Sequence, residues 1–112
     1  MKLIEAYIQT CMVDKVIHAL EENGVSKLTT IDIRVLGNKI NPKSSKISLK
    51  QAETYRMMAK LEIICSKEDA GKTVDTIFKN AWTGNKDEGI IILSPIEKVI
   101  KIRTGKIERS AI

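Results

Sequence analysis

The run Tyr55-Arg56-Met57-Met58-Ala59-Lys60-Leu61-Glu62-Ile63-Ile64-Cys65-Ser66-Lys67-Glu68-Asp69-Ala70, continuing to Ala81, changes its period in the middle. Leu61, Ile63 and Cys65 alternate against Glu62 and Ser66, the period of two that a half-buried strand requires. Beyond it Ala70, Val74, Ile77, Phe78 and Ala81 recur at helical spacing and predict one apolar helix stripe. Ser66 stands at the junction as a helix cap, with Glu68 and Asp69 placed where the first turn favours negative charge. A third strand over 55–65 therefore passes straight into a second helix.

The flanking segments extend the pattern. Over residues 2–9, Ile4, Ala6 and Ile8 share one face and Glu5, Tyr7 and Gln9 the other, which predicts a first strand. Val13, Val16, Ile17 and Leu20 build a first helical stripe, with Asp14 and Lys15 toward water. Gly24, after Glu21-Glu22-Asn23, reads as its stop. His18 falls off the stripe and is expected at the surface. Leu28 to Leu36, rich in Thr, Ile and Val, reads as the second strand. Asn38 to Glu53 has no period and forms a long polar loop of the kind that is usually functional or disordered. Thr83 to Gly89 is a shorter loop, and Ile90 to Leu93 a short strand broken at Pro95. Ile96 to Ile102 reads as a further extended segment. The order is β-α-β-β-α-β plus a short extra strand, the ferredoxin-like α+β arrangement. It predicts a single domain over 1–112, an antiparallel sheet and both helices on one face.

Composition is consistent with this. The chain has 112 residues, 43% of them apolar and 29% charged, an ordinary globular balance. Aromatics are 4%, so the core is aliphatic. A domain this small has a thin core, which favours oligomers. Glu5 interrupts the first apolar run and no cleavage site follows it, so no signal peptide is expected. No stretch reaches the roughly 18 apolar residues of a membrane helix. Cys11 and Cys65 lack metal-ligand spacing and read as two reduced thiols, which points to the cytoplasm. The net charge of +5 is a weak pointer to an anionic partner.

Catalytic signatures are missing. The chain has no phosphate-binding Walker loop, no Gly-x-Gly-x-x-Gly, no nucleophile elbow and no His or Cys cluster. The adjacent acids Asp87-Glu88 and Glu68-Asp69 read as solvated. The expectation is a binding protein with no catalytic residues and no metal site.

Three segments resemble one family. Met1-Lys2-Leu3-Ile4-Glu5-Ala6 is similar to the opening strand of PII signal-transduction proteins. Val74-Asp75-Thr76-Ile77, followed by Ala81-Trp82-Thr83-Gly84, resembles their second helix and the start of their B-loop. Val99-Ile100-Lys101-Ile102-Arg103-Thr104-Gly105-Lys106, through Ala111-Ile112, resembles their last strand and tail. The segments keep the family's order and spacing across the chain. The resemblance places a T-loop at about 37–55, a B-loop at 83–89 and a C-terminal strand and tail at 96–112. It implies a homotrimer with an adenine nucleotide, ATP, ADP or AMP, in each cleft between subunits. The base would lie near Leu28, Thr29, Glu62 and Ile64. The phosphates would meet Thr83, Gly84, Asn85, Lys86 and Gly89, with Lys101 and Arg103, and Gly37 joins the nucleotide set. Backbone N–H groups of such a loop can form an anion nest, and Lys and Arg add charge-assisted hydrogen bonds. On the residues alone, Gly84 and Gly89 are equally what a turn needs, and Lys101 and Arg103 equally a solvated strand face.

Departures from the family pattern sharpen the expectation. Asp87 replaces a B-loop glycine and Ile90 the phosphate-binding lysine, which predicts weaker binding or a preference for ADP or AMP. Lys39 stands where the family's magnesium and 2-oxoglutarate site has glutamine, and Met58 where it has lysine. Neither magnesium nor 2-oxoglutarate is expected. The modified tyrosine and serine of other members are Gln51 and Leu49. Lys39, Lys43, Lys46 and Lys50 give the T-loop a positive charge suited to an acidic protein target, a transporter or metabolic enzyme. The alternatives are a PII-like sensor of another metabolite and a nucleic-acid-binding domain. The latter needs stacked aromatics on the sheet, and the chain offers only Tyr7, Tyr55, Phe78 and Trp82, so no nucleic-acid partner is expected.

Overall fold

The computed structural model describes residues 1–36, 55–84 and 89–108. Gly37, the T-loop lysines, Gln51, Leu49, Asn85, Lys86, Asp87, Glu88 and the last four residues of the tail lie outside that set.

Strand β1 (Lys2–Gln9) runs through a short 3-10 turn (Thr10–Met12) into helix α1 (Val13–Glu22). Strands β2 (Thr29–Leu36) and β3 (Tyr55–Cys65) precede helix α2 (Lys67–Ala81). Strand β4 (Gly89–Pro95) follows, then the two-residue strands β5 (Val99–Ile100) and β6 (Ile107–Glu108). The main sheet has the order β2-β3-β1-β4 and every pairing in it is antiparallel. With two helices and this strand order the fold is ferredoxin-like.

Alternation decides which face is buried. Ile4, Ala6 and Ile8 of β1 stand across from Ile63, Leu61 and Ala59 of β3. These side chains form one core with Val16 and Leu20 of α1 and with Ala70 and Ile77 of α2. Both helices therefore cover the same face, as the pattern predicts. The opposite face carries Leu3, Glu5 and Tyr7 from β1, Lys60, Glu62 and Ile64 from β3, and Ile90 and Ile92 from β4. Among the described residues no helix packs on this open face.

The helix ends form as their residues dictate. The Asp69 N–H donates to Ser66 Oγ at 3.2 Å, so Ser66 caps α2. At the end of α1, Gly24 has φ +89°. Its N–H donates to Glu21 O at 3.0 Å and the Val25 N–H to Leu20 O at 3.0 Å, a Schellman closure that only a left-handed residue permits. Val25 then packs on the core.

Two expectations are corrected. Phe78 does not belong to the buried stripe of α2: it is 57% exposed. The helix buries Ala70, Thr73, Thr76 and Ile77 instead. The two threonines reach the interior because their hydroxyls donate to Asp69 O and Lys72 O of the preceding turn, at 2.9 and 2.8 Å. Residues 96–102 are not one extended segment either. Only Val99 and Ile100 pair, with Glu108 and Ile107, because the chain turns back between them. Gly105, at φ +67°, and the Lys106 N–H bonded to Thr104 Oγ1 at 3.2 Å shape that turn. His18 is exposed as expected, its Nε2 3.0 Å from Glu22 Oε1. Cys11 is exposed and Cys65 buried, with no bridge between them.

Candidate functional site

Register brings the first group together. Thr29, the first residue of β2, stands opposite Glu62, and Leu3 opposite Ile64. The connector after the Schellman closure supplies Ser26, Lys27 and Leu28. These seven residues line a hollow of about 490 Å³. All four residues assigned to the base end, Leu28, Thr29, Glu62 and Ile64, are among them. Its chemistry is mixed: aliphatic at Leu3, Leu28 and Ile64, with a hydroxyl at Thr29 and a carboxylate at Glu62. A flat ring with polar edges suits such a wall.

Glu62 has a fixed neighbour. Lys60 Nζ lies 3.1 Å from Glu62 Oε1 and 2.8 Å from Glu5 Oε2. The ammonium also stands 5.7 Å from the centre of the Tyr7 ring. The two carboxylates raise the lysine's pKa well above its usual range.

The second group sits elsewhere. Thr83 and Gly84 leave the end of α2, and Gly89 opens β4. Gly84 has φ +81°, and a Cβ there would stand 3.5 Å from the Trp82 ring. Gly89 has φ +120°, and a Cβ there would lie 1.6 Å from the Tyr7 carbonyl oxygen. This glycine thus has a reason that owes nothing to phosphate: the adjoining strand passes where a side chain would be. Beside it a hollow of about 220 Å³ is lined by Tyr7, Phe78, Trp82 and Ile90, among others.

Lys101 and Arg103 lie on the turn between β5 and β6, both exposed. They do not alternate on a strand, as the sequence suggests. The Lys101 N–H donates to Lys106 O at 3.1 Å.

One chain does not unite these groups. Gly89 is opposite Ile8, whereas the 490 Å³ hollow includes Leu3, five residues back along β1. That is roughly 17 Å along the strand, and the sheet's width separates β2 from β4 as well. The β5–β6 hairpin follows the other end of β4, where the Ile96 N–H donates to Met1 O at 3.1 Å. The hollow and the hairpin thus share one end of the sheet, and Gly89 stands at the other.

Sequence reasoning missed Leu3, Ser26, Lys27 and Lys60. The Lys60-x-Glu62 spacing puts both on one strand face and is visible in the sequence. That Glu5 completes the group depends on register, which the sequence does not display. Among the described residues no group of His, Cys, Asp and Glu is arranged to hold a metal ion. No described helix is long and apolar enough to cross a membrane.

Known proteins resemble this chain in sequence. The family model described as nitrogen regulatory protein P-II matches residues 1–106. Nitrogen regulatory protein P-II 2 of Methanothermobacter thermautotrophicus is 32% identical over 116 residues, spanning 100% of this chain and 97% of the relative. The P-II 1 protein of the same organism is 31% identical over 112 residues, with 97% of it covered. Nitrogen regulatory protein P-II of Nostoc punctiforme is 30% identical over 112 residues, with both chains fully covered.

Proposed function

This chain belongs to the nitrogen regulatory protein P-II family, and from that premise we propose that it is an adenine-nucleotide-binding, homotrimeric signal-transduction regulator. Membership supports a regulatory role in nitrogen metabolism, exerted on protein targets rather than by catalysis. The nucleotide, the trimer and the use of the T-loop on a transporter or enzyme are the proposal's own.

The observation that carries it is the gathering of Leu28, Thr29, Glu62 and Ile64 in one hollow. Base and sugar lie against that wall in this reading. The phosphates then need N–H groups from the segment between Thr83 and Gly89, and this chain holds Gly89 at the far end of its sheet. A second copy has to bring its loop to the first copy's hollow and hairpin. The site is composite, and the oligomer is a condition of binding. Exposed Ile90, Ile92 and Ile31 on the open face supply apolar area for that association.

The ligand set is narrowed by side chains. Met58 is 3% exposed, an apolar group where a carboxylate ligand would need a cation. Ile90 is exposed where a phosphate-binding lysine would serve. The protein therefore binds nucleotide without a 2-oxoglutarate response, and ADP or AMP compete well against ATP.

Titration calorimetry of the purified protein with ATP, ADP and AMP, with and without magnesium and 2-oxoglutarate, tests this. The expected result is saturable binding of one nucleotide per subunit, unchanged by 2-oxoglutarate. Nanomolar ATP binding enhanced by magnesium and 2-oxoglutarate contradicts the ligand preference; no adenine nucleotide binding contradicts the function.

A further inference from the structure

Lys60 occupies the centre of the open face, and its two carboxylate partners come from different strands. Glu5 and Glu62 stand opposite each other across β1 and β3. Like charges so placed repel each other. Lys60 bridges them, at 2.8 Å from Glu5 Oε2 and 3.1 Å from Glu62 Oε1. Tyr7 of β1 lies under the ammonium, and β2 contributes Ile31 across from Lys60. Among the described residues the ionisable groups facing Lys60 are thus Glu5, Glu62 and the Tyr7 phenol. Glu62 alone of these also lines the 490 Å³ hollow.

We propose that Lys60 is a positioning residue for the ligand of that hollow: it fixes Glu62 as an oriented anion, with Oε1 held by the ammonium and Oε2 left to accept from the ligand. The inference rests on reading the hollow as the base-and-sugar end of a nucleotide site. An acceptor held in place before binding loses little freedom on binding. A hydrogen bond to an ionised carboxylate is stronger than one to a neutral acid. The part of the ligand entering here must therefore offer O–H or N–H donors, as a sugar diol or an amino group does. Lys60 so sets which part of the nucleotide meets Glu62, the part that carries the donors.

A purely structural role makes a different prediction. If Lys60 only neutralised the Glu5–Glu62 pair, removing its charge together with that of Glu5 would leave ligand affinity intact. The test is calorimetry of the full-length protein with ATP, ADP and AMP, comparing wild type, Lys60→Gln, Lys60→Arg and the double variant Glu5→Gln/Lys60→Gln. The double variant avoids the repulsion that threatens folding in Lys60→Gln alone. The inference expects the double variant to bind its best nucleotide about tenfold more weakly, the scale of one charge-assisted hydrogen bond. Lys60→Arg keeps the cation and stays within about threefold of wild type, since guanidinium also serves carboxylates. Wild-type affinity in the double variant, or a Lys60→Arg protein as weak as the double variant, overturns the inference while leaving the hollow's reading in place. A wild-type protein that binds none of the three nucleotides fails that reading and takes the inference with it.

Discussion

At Gly89 the fold leaves no room for a side chain. The residue is at φ +120°, and the Tyr7 carbonyl sits 1.6 Å from where a Cβ would be. Gly89→Ala is expected to lower stability by more than ~2 kcal/mol, through both backbone strain and a clash with the neighbouring strand. Chemical denaturation of the two proteins reads this out; a change within ~0.5 kcal/mol, ordinary for an exposed surface position, would show that the strand start relaxes easily. The example also shows what a sequence conceals. Gly89 is legible as a turn or loop glycine, but the atom that requires it belongs to Tyr7, far away along the chain. Ser66 is the contrary case. Its partner, the Asp69 N–H, is three residues on, so the cap is readable at once. Glu62 lies between: its strand face is legible, whereas its partner Glu5 appears only when β1 and β3 are set in register.

At the scale of the element, period was a good guide to type and a weaker one to the limits of burial. The alternation in β1 and β3 identifies their buried faces residue by residue, because a strand has only two faces. A helix has a stripe whose width depends on what packs against it. Ile77 and Phe78 both fit the helical pattern, yet Ile77 is 0% exposed and Phe78 57%. Ile77→Ala is expected to cost about 2–5 kcal/mol, the range for truncating a fully buried aliphatic side chain. Phe78→Ala should change stability by under ~1 kcal/mol in the same denaturant series. Equal losses would mean that Phe78 is covered in the assembled protein. The last segment was the hardest to read. Val99 to Ile102 looks extended, but pairing within 99–108 is local, and the signal was the Thr104-Gly105 dipeptide that turns the chain back.

For the whole molecule, the arrangement of the sheet matters more than any one residue. The hollow containing Thr29 and Glu62, and the loop leaving at Gly84 and returning at Gly89, belong to opposite ends of a four-stranded sheet. The resemblance assigned both groups to one nucleotide, and β-strand spacing keeps them apart within a chain. The base-end residues came from the resemblance alone, and they lie together because Thr29 of β2 pairs with Glu62 of β3. The phosphate-end residues do not form a set within the chain, since Lys101 and Arg103 lie on the β5–β6 turn and Gly89 at the opposite end of the sheet. The central claim is that each site takes its wall from one copy and its loop from the next. Co-expression of two binding-deficient variants tests it most directly: Thr29→Glu, which spoils the hollow, and Gly84→Glu, which spoils the loop. Each alone should bind no ADP by calorimetry. Mixed oligomers should regain a fraction of the sites, wherever an intact hollow meets an intact loop. Mixed oligomers that remain as inert as the two parents would contradict the claim.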